Sequence, residues 1–391
     1  MIDSLAFTSR LCVVVSMILC SCSEPRKKYD GLFEATDNID IELEKHIDNI
    51  LSSRKPHVTD DFDDFSLIPL ENKEGAYLNQ ITKLQVCDSG FYVFSERESV
   101  LLRFRHNGEF ASQIGEKGHG RGEYSMIINF CANDAGDSIY IMDIEGIKLY
   151  NQDGVFLSNL GNPKARNWQG FLSTASGFFF SVNNRIGDAA LKRFDKQMQH
   201  GTPIIKMPED VIRDYPSSWR NQLQTDGKKI CYYDFYTSTF YIYNLSDLSE
   251  CKSYVLHSEN ILTEKWIRER PEDQIDASGS DHLESYVFED NTILGVFKYQ
   301  GRTLDFKYNL ETNNCQLRYA AGFSYDFMDV YDGYYYRCYD SVYLSDMVSP
   351  QSQFSGKQTY ELLKDALEPY KDRIKETDNF YILKMRRKEW K

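Results

Sequence analysis

Three aspartates stand at matching places in the chain. Asp143 and Asp234 each end an aromatic, strand-like run and Asp340 closely follows a third, while Ser95, Asn183 and Lys298 lie near the corresponding place elsewhere. A carboxylate there accepts backbone N–H groups of the following turn, and a complete ring of them would suit Ca²⁺. Ser, Asn and Lys at the other places leave the ring incomplete, so the turn role is the expectation. Histidine adds little: His46, His57, His106, His119, His200, His257 and His282 stand singly, with no HxH or HxxxH pair to converge on a metal. A GxSxG elbow, a P-loop and a dinucleotide fingerprint are absent. No catalytic residue, metal ligand or cofactor is therefore assigned.

A second pattern is chemical in a different sense. Arg121, Glu123 and Tyr124 (in EKGHGRGEYSM, 116–126), Trp168, Trp219 (in MPEDVIRDYPSSWRNQ, 207–222) and Trp266, Arg268 and Arg270 (within 258–282) all fall in long connections. Aromatic rings beside guanidinium groups suit sugar stacking or an anchor for a protein partner, so these eight residues form the candidate ligand-binding set. The competing reading makes GHGRGEY a self-ordered turn in which Glu123 and Tyr124 pack locally, and makes each Trp a plug between packed units. Nucleic acid is excluded as a partner, because a net charge of −14 offers phosphates no cationic surface.

The elements that must position these residues repeat. With 41% hydrophobic and 27% charged residues, 10 Pro and 23 Gly, the composition is that of a globular chain. Residues 81–115 align with 127–161: an apolar strand, an Asp/Gly turn, an aromatic strand, a polar turn, and a third strand ending in Phe104 or Tyr150. A turn with Gly108 or Gly154 then leads to a fourth strand. Weaker copies end their third strands at Phe194, Tyr243 and Tyr308, and a sixth begins YDFMDVYDGYYYRCYDSVYL. Leu67 to Met347 thus reads as six units of roughly 47 residues. A twisted four-stranded sheet cannot cover its own faces; six packed radially can, so the expected fold is all-β, a six-bladed β-propeller of four-stranded antiparallel blades. In such a ring the fourth-to-first connections and the second-to-third turns emerge together, which places the long Arg- and Trp-bearing segments on one loop-rich face.

Two leftover strands, Phe65–Leu70 and about 379–386, are available to close the last blade, their order in it left open by sequence. Between them a helix is expected over about 357–368, with Leu362, Leu363 and Ala366 on its buried face. The propeller is thus expected over 64–391.

Ahead of it, Arg10 precedes the nine-residue apolar run Leu11–Leu19, too short to span a bilayer. Leu19-Cys20-Ser21-Cys22 resembles the lipobox of bacterial lipoproteins, which implies a signal peptide over 1–21, lipidation at Cys22 and a polar tether over 22–63. Such an anchor makes the membrane a partner. Ser23 after the Cys does not resemble the inner-membrane retention signal, which points to the outer membrane, at its periplasmic or cell-surface face. Cys87, Cys131, Cys231, Cys251, Cys315 and Cys338 are scattered singly and are expected to behave as small buried hydrophobes rather than as bridges or metal ligands.

On SLIPLE (66–71), IGEKGHGRGEY (114–124), IYIMD (139–143), KLYNQDG (148–154) and TDNFYILKMRRK (377–388), the chain resembles the six-bladed propeller lipoproteins of Bacteroidetes, related to NHL-type propellers. That resemblance covers about residues 60–390 and implies a fold and a cell-envelope location, but no catalytic residue. The leading reading is a binding module for a glycan or a protein. Its rivals are a metal-assisted hydrolase or lyase at the central channel, and a scaffold subunit of an outer-membrane uptake assembly. Elemental analysis of residues 23–391 by inductively coupled plasma mass spectrometry separates the first two: a metal-free folded protein keeps the binding reading ahead, and about one tightly held Ca²⁺ or Zn²⁺ per chain sinks it.

Overall fold

The computed structural model describes residues 35–47, 58–161, 168–182, 189–206, 223–263, 279–320, 324–349 and 367–388, together with Lys265, Trp266, Glu269, Tyr360, Glu361, Leu363 and Lys364. Alternation of side chains across each strand builds the architecture. In the blade 1 strand Gly90–Ser95, Phe91 and Val93 point to one side and pack with Tyr336 and Ile382, while Tyr92 and Phe94 point to the other and pack with Phe130 and Tyr150. Every residue of that strand is buried. The hydrophobic core therefore lies between blades, and no blade is stable without its neighbours.

Six blades result, each antiparallel in its four ring strands. Blade 1 comprises Lys83–Cys87, Gly90–Ser95, Val100–Phe104 and Phe110–Gln113, and blade 2 comprises Asn129–Ala132, Ser138–Asp143, Gly146–Asn151 and Phe156–Gly161. Blade 3 spans Trp168–Thr174, Gly177–Val182, Ala189–Phe194 and Gly201–Lys206. Leu223–Thr225, Lys229–Asp234, Thr239–Asn244 and Cys251–His257 form blade 4, and His282–Glu289, Thr292–Tyr299, Arg302–Asn309 and Asn314–Tyr319 form blade 5. The third-strand aromatics that marked the repeat, Phe104, Tyr150, Phe194, Tyr243 and Tyr308, are all buried. Gly90 (φ +130) and Gly177 (φ +136) recur because a Cβ there would sit 2.1 and 2.2 Å from the carbonyl oxygens of Phe104 and Phe194.

The last blade settles the order of the two closing strands. Asp329–Tyr331 is innermost, followed by Tyr334–Tyr339, then the C-terminal Tyr381–Arg387, with the N-terminal Phe62–Pro69 outermost. Ser66, Leu67, Ile68 and Pro69 pair with Lys384, Leu383, Ile382 and Tyr381. Around the inner ring, Val86 N donates to Asp329 Oδ2 at 2.6 Å, and the Gln85 amide both donates to Ala132 O and accepts from Ala132 N at 2.9 Å. Lys83 Nζ donates to Asn129 Oδ1 and Phe130 O.

Two segments differ from expectation. Ser341–Leu344, read with the sixth unit's strands, opens a helix, Ser341–Val348, because Asp340 caps it by accepting from Tyr343 N at 2.7 Å and Ser341, Leu344 and Met347 bury at helical spacing. Within the stretch expected as tether, Asp37–Glu42 is a strand lying parallel to Cys251–His257 as a fifth strand of blade 4, with Ile41 and Leu43 buried. Its alternating Ile39 and Ile41 supply the apolar side that a tether lacks. Of the expected helix over 357–368, Tyr360, Glu361, Leu363, Lys364 and Leu367 are described and helical, and Leu363 and Leu367 are fully buried on the closing blade. Leu362 and Ala366 lie outside the described residues. Cys87, Cys131, Cys231, Cys251 and Cys315 are buried free thiols, and Cys338 is half-buried.

A buried charge cluster ties the short helix Val58–Asp61 to blade 5. Asp61 accepts from Tyr325 Oη at 2.8 Å and pairs with Arg318 and, at 3.4 Å, with Lys307; Asp305 accepts from Tyr325 N at 2.8 Å and from Arg318 Nε at 3.4 Å. Two carboxylates thus share one guanidinium. Burial pushes the Asp305 carboxyl up to about 7 against the pull of Arg318. Raised in the folded state, this group adds stability that is fully present below pH about 4, its unfolded range, and is lost as pH rises through about 7. Urea unfolding of Asp305→Asn is accordingly expected to show a weaker decline of stability between pH 4 and 8 than the natural protein; an unchanged slope would contradict this assignment.

Candidate functional site

The connection from blade 1 to blade 2 folds on itself. Gly118 N donates to Tyr124 O, Tyr124 N to Glu116 O, and Gly120 N to Glu123 Oε2 at 2.7 Å. A Cβ at Gly118 would lie 1.9 Å from Glu123 Oε2, and one at Gly122 (φ +83) 2.5 Å from the Phe156 ring. Tyr124 is fully buried, and Tyr150 Oη donates to Gly122 O at 3.0 Å. Two candidates are therefore corrected: Tyr124 is a core residue, and Glu123 spends its carboxylate on the loop's own backbone. Arg121, at the tip, is exposed.

Beneath the loop lies Asp143, at the end of the second strand of blade 2. Its carboxylate accepts from Ser125 N, from Ser125 Oγ at 2.8 Å, from Ile144 N at 2.6 Å and from Lys148 Nζ at 2.6 Å. Burial opposes the charge, but Lys148 and Ser125 prevail and hold the carboxyl below its ordinary value. The expected turn role is thus fulfilled, with an ion pair whose side chains are 6% and 0% exposed added to it. The pair braces two exposed apolar side chains, Met126 (46%) and Ile144 (62%), whose backbone nitrogens both donate to Asp143 Oδ1.

Of the remaining candidates, Trp266 and the backbone of Trp168 are described. Trp266 is 7% exposed, packs in the core between blades 4 and 5, and donates from Nε1 to Asn260 Oδ1 at 2.8 Å, so it plugs a junction rather than presenting a ring. Trp168 opens the inner strand of blade 3, its backbone paired with Val182. Trp219, Arg268, Arg270 and Cys22 lie outside the described residues. Asp234 accepts from Tyr236 N at 3.0 Å in its turn, and Lys298 pairs with Glu284 at 3.2 Å. Sequence reasoning missed Lys148, whose five-residue separation from Asp143 across a tight turn is the signal that finds it, and missed Val342 and Tyr343 on the Ser341–Val348 helix, 59% and 39% exposed.

A family described as "Domain of unknown function (DUF4934)" matches residues 39–386. The chain belongs to this family. Among solved structures, this DUF4934 chain is similar to an exported protein of Bacteroides fragilis (17% identity, TM-score 0.66, covering 90% of this chain and 100% of that one). It is also similar to a DUF4221-family member of Bacteroides vulgatus (10% identity, TM-score 0.53, covering 84% and 98%). At these identities the likeness is one of fold. No curated protein matches the sequence.

Within this family member the inner-strand side chains Lys83, Gln85 and Asp329 direct their polar atoms to neighbouring blades, and among the described residues no group of three or more His, Cys, Asp or Glu is placed to share a metal ion. The loop-rich face over blade 2 thus rests on the Asp143–Lys148 pair. Removing one partner of a buried ion pair strands the other, at a cost of about 3–5 kcal/mol. In urea denaturation, Asp143→Ala is expected to lose about 3 kcal/mol and the Asp143→Ala/Lys148→Met double variant less. A double variant as unstable as the single one would refute the pairing.

Proposed function

We propose that this protein is a non-enzymatic, lipid-anchored propeller of the outer membrane that binds a protein partner through its loop-rich face. One observation carries the reading. Of seven exposed large hydrophobic side chains among the described residues, five belong to segments that emerge on that face. Tyr77 and Met126 lie in fourth-to-first connections, and Ile144, Val342 and Tyr343 lie between second and third strands. Large apolar side chains on the same face as an exposed Arg121 have the composition of an interface centre, where aromatic, Met and Arg residues concentrate. The backbones of Met126 and Ile144 are held by the buried Asp143 carboxylate, which lowers the ordering cost of association.

Location rests on other grounds. The lipobox-like Leu19–Cys22 motif follows a short apolar run, and the B. fragilis protein of similar fold is described as exported. In this reading the acyl chains on Cys22 attach the protein to the membrane; among the described residues no helix is long and apolar enough to cross one.

Two experiments test the halves separately. Cys22→Ser is expected to abolish fatty-acid labelling and to release the protein from the membrane fraction; retention with undiminished labelling sinks the anchor. A photo-crosslinking residue placed at Ile144 in cells is expected to yield a discrete protein adduct that Arg121→Ala or Met126→Asp weakens at least tenfold, whereas the same probe at Val155, in the turn before the outer strand of blade 2, yields none. Equal labelling at the two positions, or an adduct indifferent to both substitutions, overturns the face assignment.

A further inference from the structure

A cleft of about 320 Å³ lies at the rim where the ring closes. Its walls are the end of the outermost closing strand and the residues after it (Pro69–Asn72), the blade 1 turn Asn107–Glu109, and the stretch Tyr370–Asp378 that precedes the C-terminal strand. These walls are locked together. Glu71 N donates to Gly108 O and Leu70 N to Phe380 O, both at 2.9 Å, and a Cβ at Gly108 would lie 2.0 Å from Pro69 O. Asn379, 1% exposed, knits the segments from behind: its amide donates to Ala76 O at 2.8 Å and Glu71 O at 3.3 Å, and its Oδ1 accepts from Leu78 N and Phe380 N. The cleft exists only because the two chain ends meet.

Its lining divides by chemistry. Leu70 and Ile374 are buried and, with the rings of Tyr370 and Tyr381, give an apolar floor. The Arg373 guanidinium stacks on Tyr370 at 5.0 Å and donates to Pro369 O at 3.2 Å, with no carboxylate at ion-pair distance among the described residues. Asn107 Oδ1 accepts from Glu109 N, which leaves the amide N–H₂ of this lining residue as a donor. On the accepting side, Glu71 engages Phe110 N through one oxygen at 2.8 Å and Asn72 uses its N–H₂ on Thr377 O and Asp378 Oδ1, so Glu71 Oε1 and Asn72 Oδ1 remain as acceptors.

From this balance we infer that the cleft is a binding site for a neutral saccharide of one or two rings. Sugar hydroxyls both donate and accept, which matches paired donors (Arg373, Asn107) and acceptors (Glu71, Asn72), while the apolar face of a pyranose matches the floor of Leu70, Ile374 and Tyr381. An anion meets Glu71, Glu109 and Asp378 around a single Arg373. A cation finds the Tyr370 face already covered by that guanidinium. The volume lies at the lower end of small-ligand sites, which range over about 300–1,000 Å³.

Saturation-transfer NMR on the folded chain, with maltose, cellobiose, lactose and mannobiose as neutral probes and glucuronate and glucosamine as charged ones, tests this. At least one neutral disaccharide is expected to receive saturation and the charged sugars none. Arg373→Ala and Asn107→Leu should each weaken binding about tenfold with the thermal midpoint unchanged, and Arg121→Ala, on the loop between blades 1 and 2, should leave it intact. No transfer to any neutral probe at millimolar concentration, equal transfer to the charged sugars, or binding indifferent to Arg373→Ala and Asn107→Leu overturns the site. Binding lost on Arg121→Ala but not on Arg373→Ala moves the sugar to the loop between blades 1 and 2 and also overturns it.

Discussion

Everything in this molecule depends on one pairing: the N-terminal strand Phe62–Pro69 against the C-terminal strand Tyr381–Arg387. The core of a propeller lies between its blades, so an open ring leaves the facing sides of blades 1 and 6 in water. Bringing strands some three hundred residues apart together costs about 5 kcal/mol of chain entropy, since the cost grows only with the logarithm of length. Phe62, Leu67, Leu383 and Met385 are all buried at the junction, and at about 1.5–3 kcal/mol each they offset it. The same junction shapes the cleft beside Asn379, so that binding geometry of the rim is a by-product of closure.

Charge plays a supporting part that is easily mistaken for chemistry. Asp143, Asp305 and Asp61 are buried or nearly so, and each is held by backbone N–H groups, hydroxyls or cations. Such groups are expensive to bury and cheap to keep once every lone pair is used. What they do is hold a loop, a strand end or the short helix Val58–Asp61 in place. Met126 and Ile144 are held by that support through their backbone nitrogens, which leaves their side chains exposed.

Much of this was legible in the residues. Phe104, Tyr150, Phe194, Tyr243 and Tyr308 betray the repeat because each must fill the same interblade position, and Asp143 betrays its turn because short-range hydrogen bonding depends on local sequence alone. The helix Ser341–Val348 was hidden because Val and Tyr in DSVYL favour strands by propensity, and only the Asp340 cap and the burial of Leu344 and Met347 tip the balance. Asp37–Glu42 was hidden by its acidity, although Ile39 and Ile41 alternate as an edge strand requires. Tyr124 and Trp266 looked like surface aromatics because they lie in loops, and loops also carry the plugs that seal a core.

By itself the sequence determined the all-β class, the number of blades and the residues that face a neighbouring blade, since alternation, turn glycines and periodic aromatics are local properties that survive without knowledge of contacts. Only the tertiary structure decided the order of the closing strands, the parallel fifth strand on blade 4, the burial of Tyr124 and Trp266, and the cleft between Asn72, Asn107 and Arg373. Each of these joins residues far apart in the chain, and which distant surfaces meet is set by how six twisted sheets pack around a common axis rather than by any run of neighbouring residues.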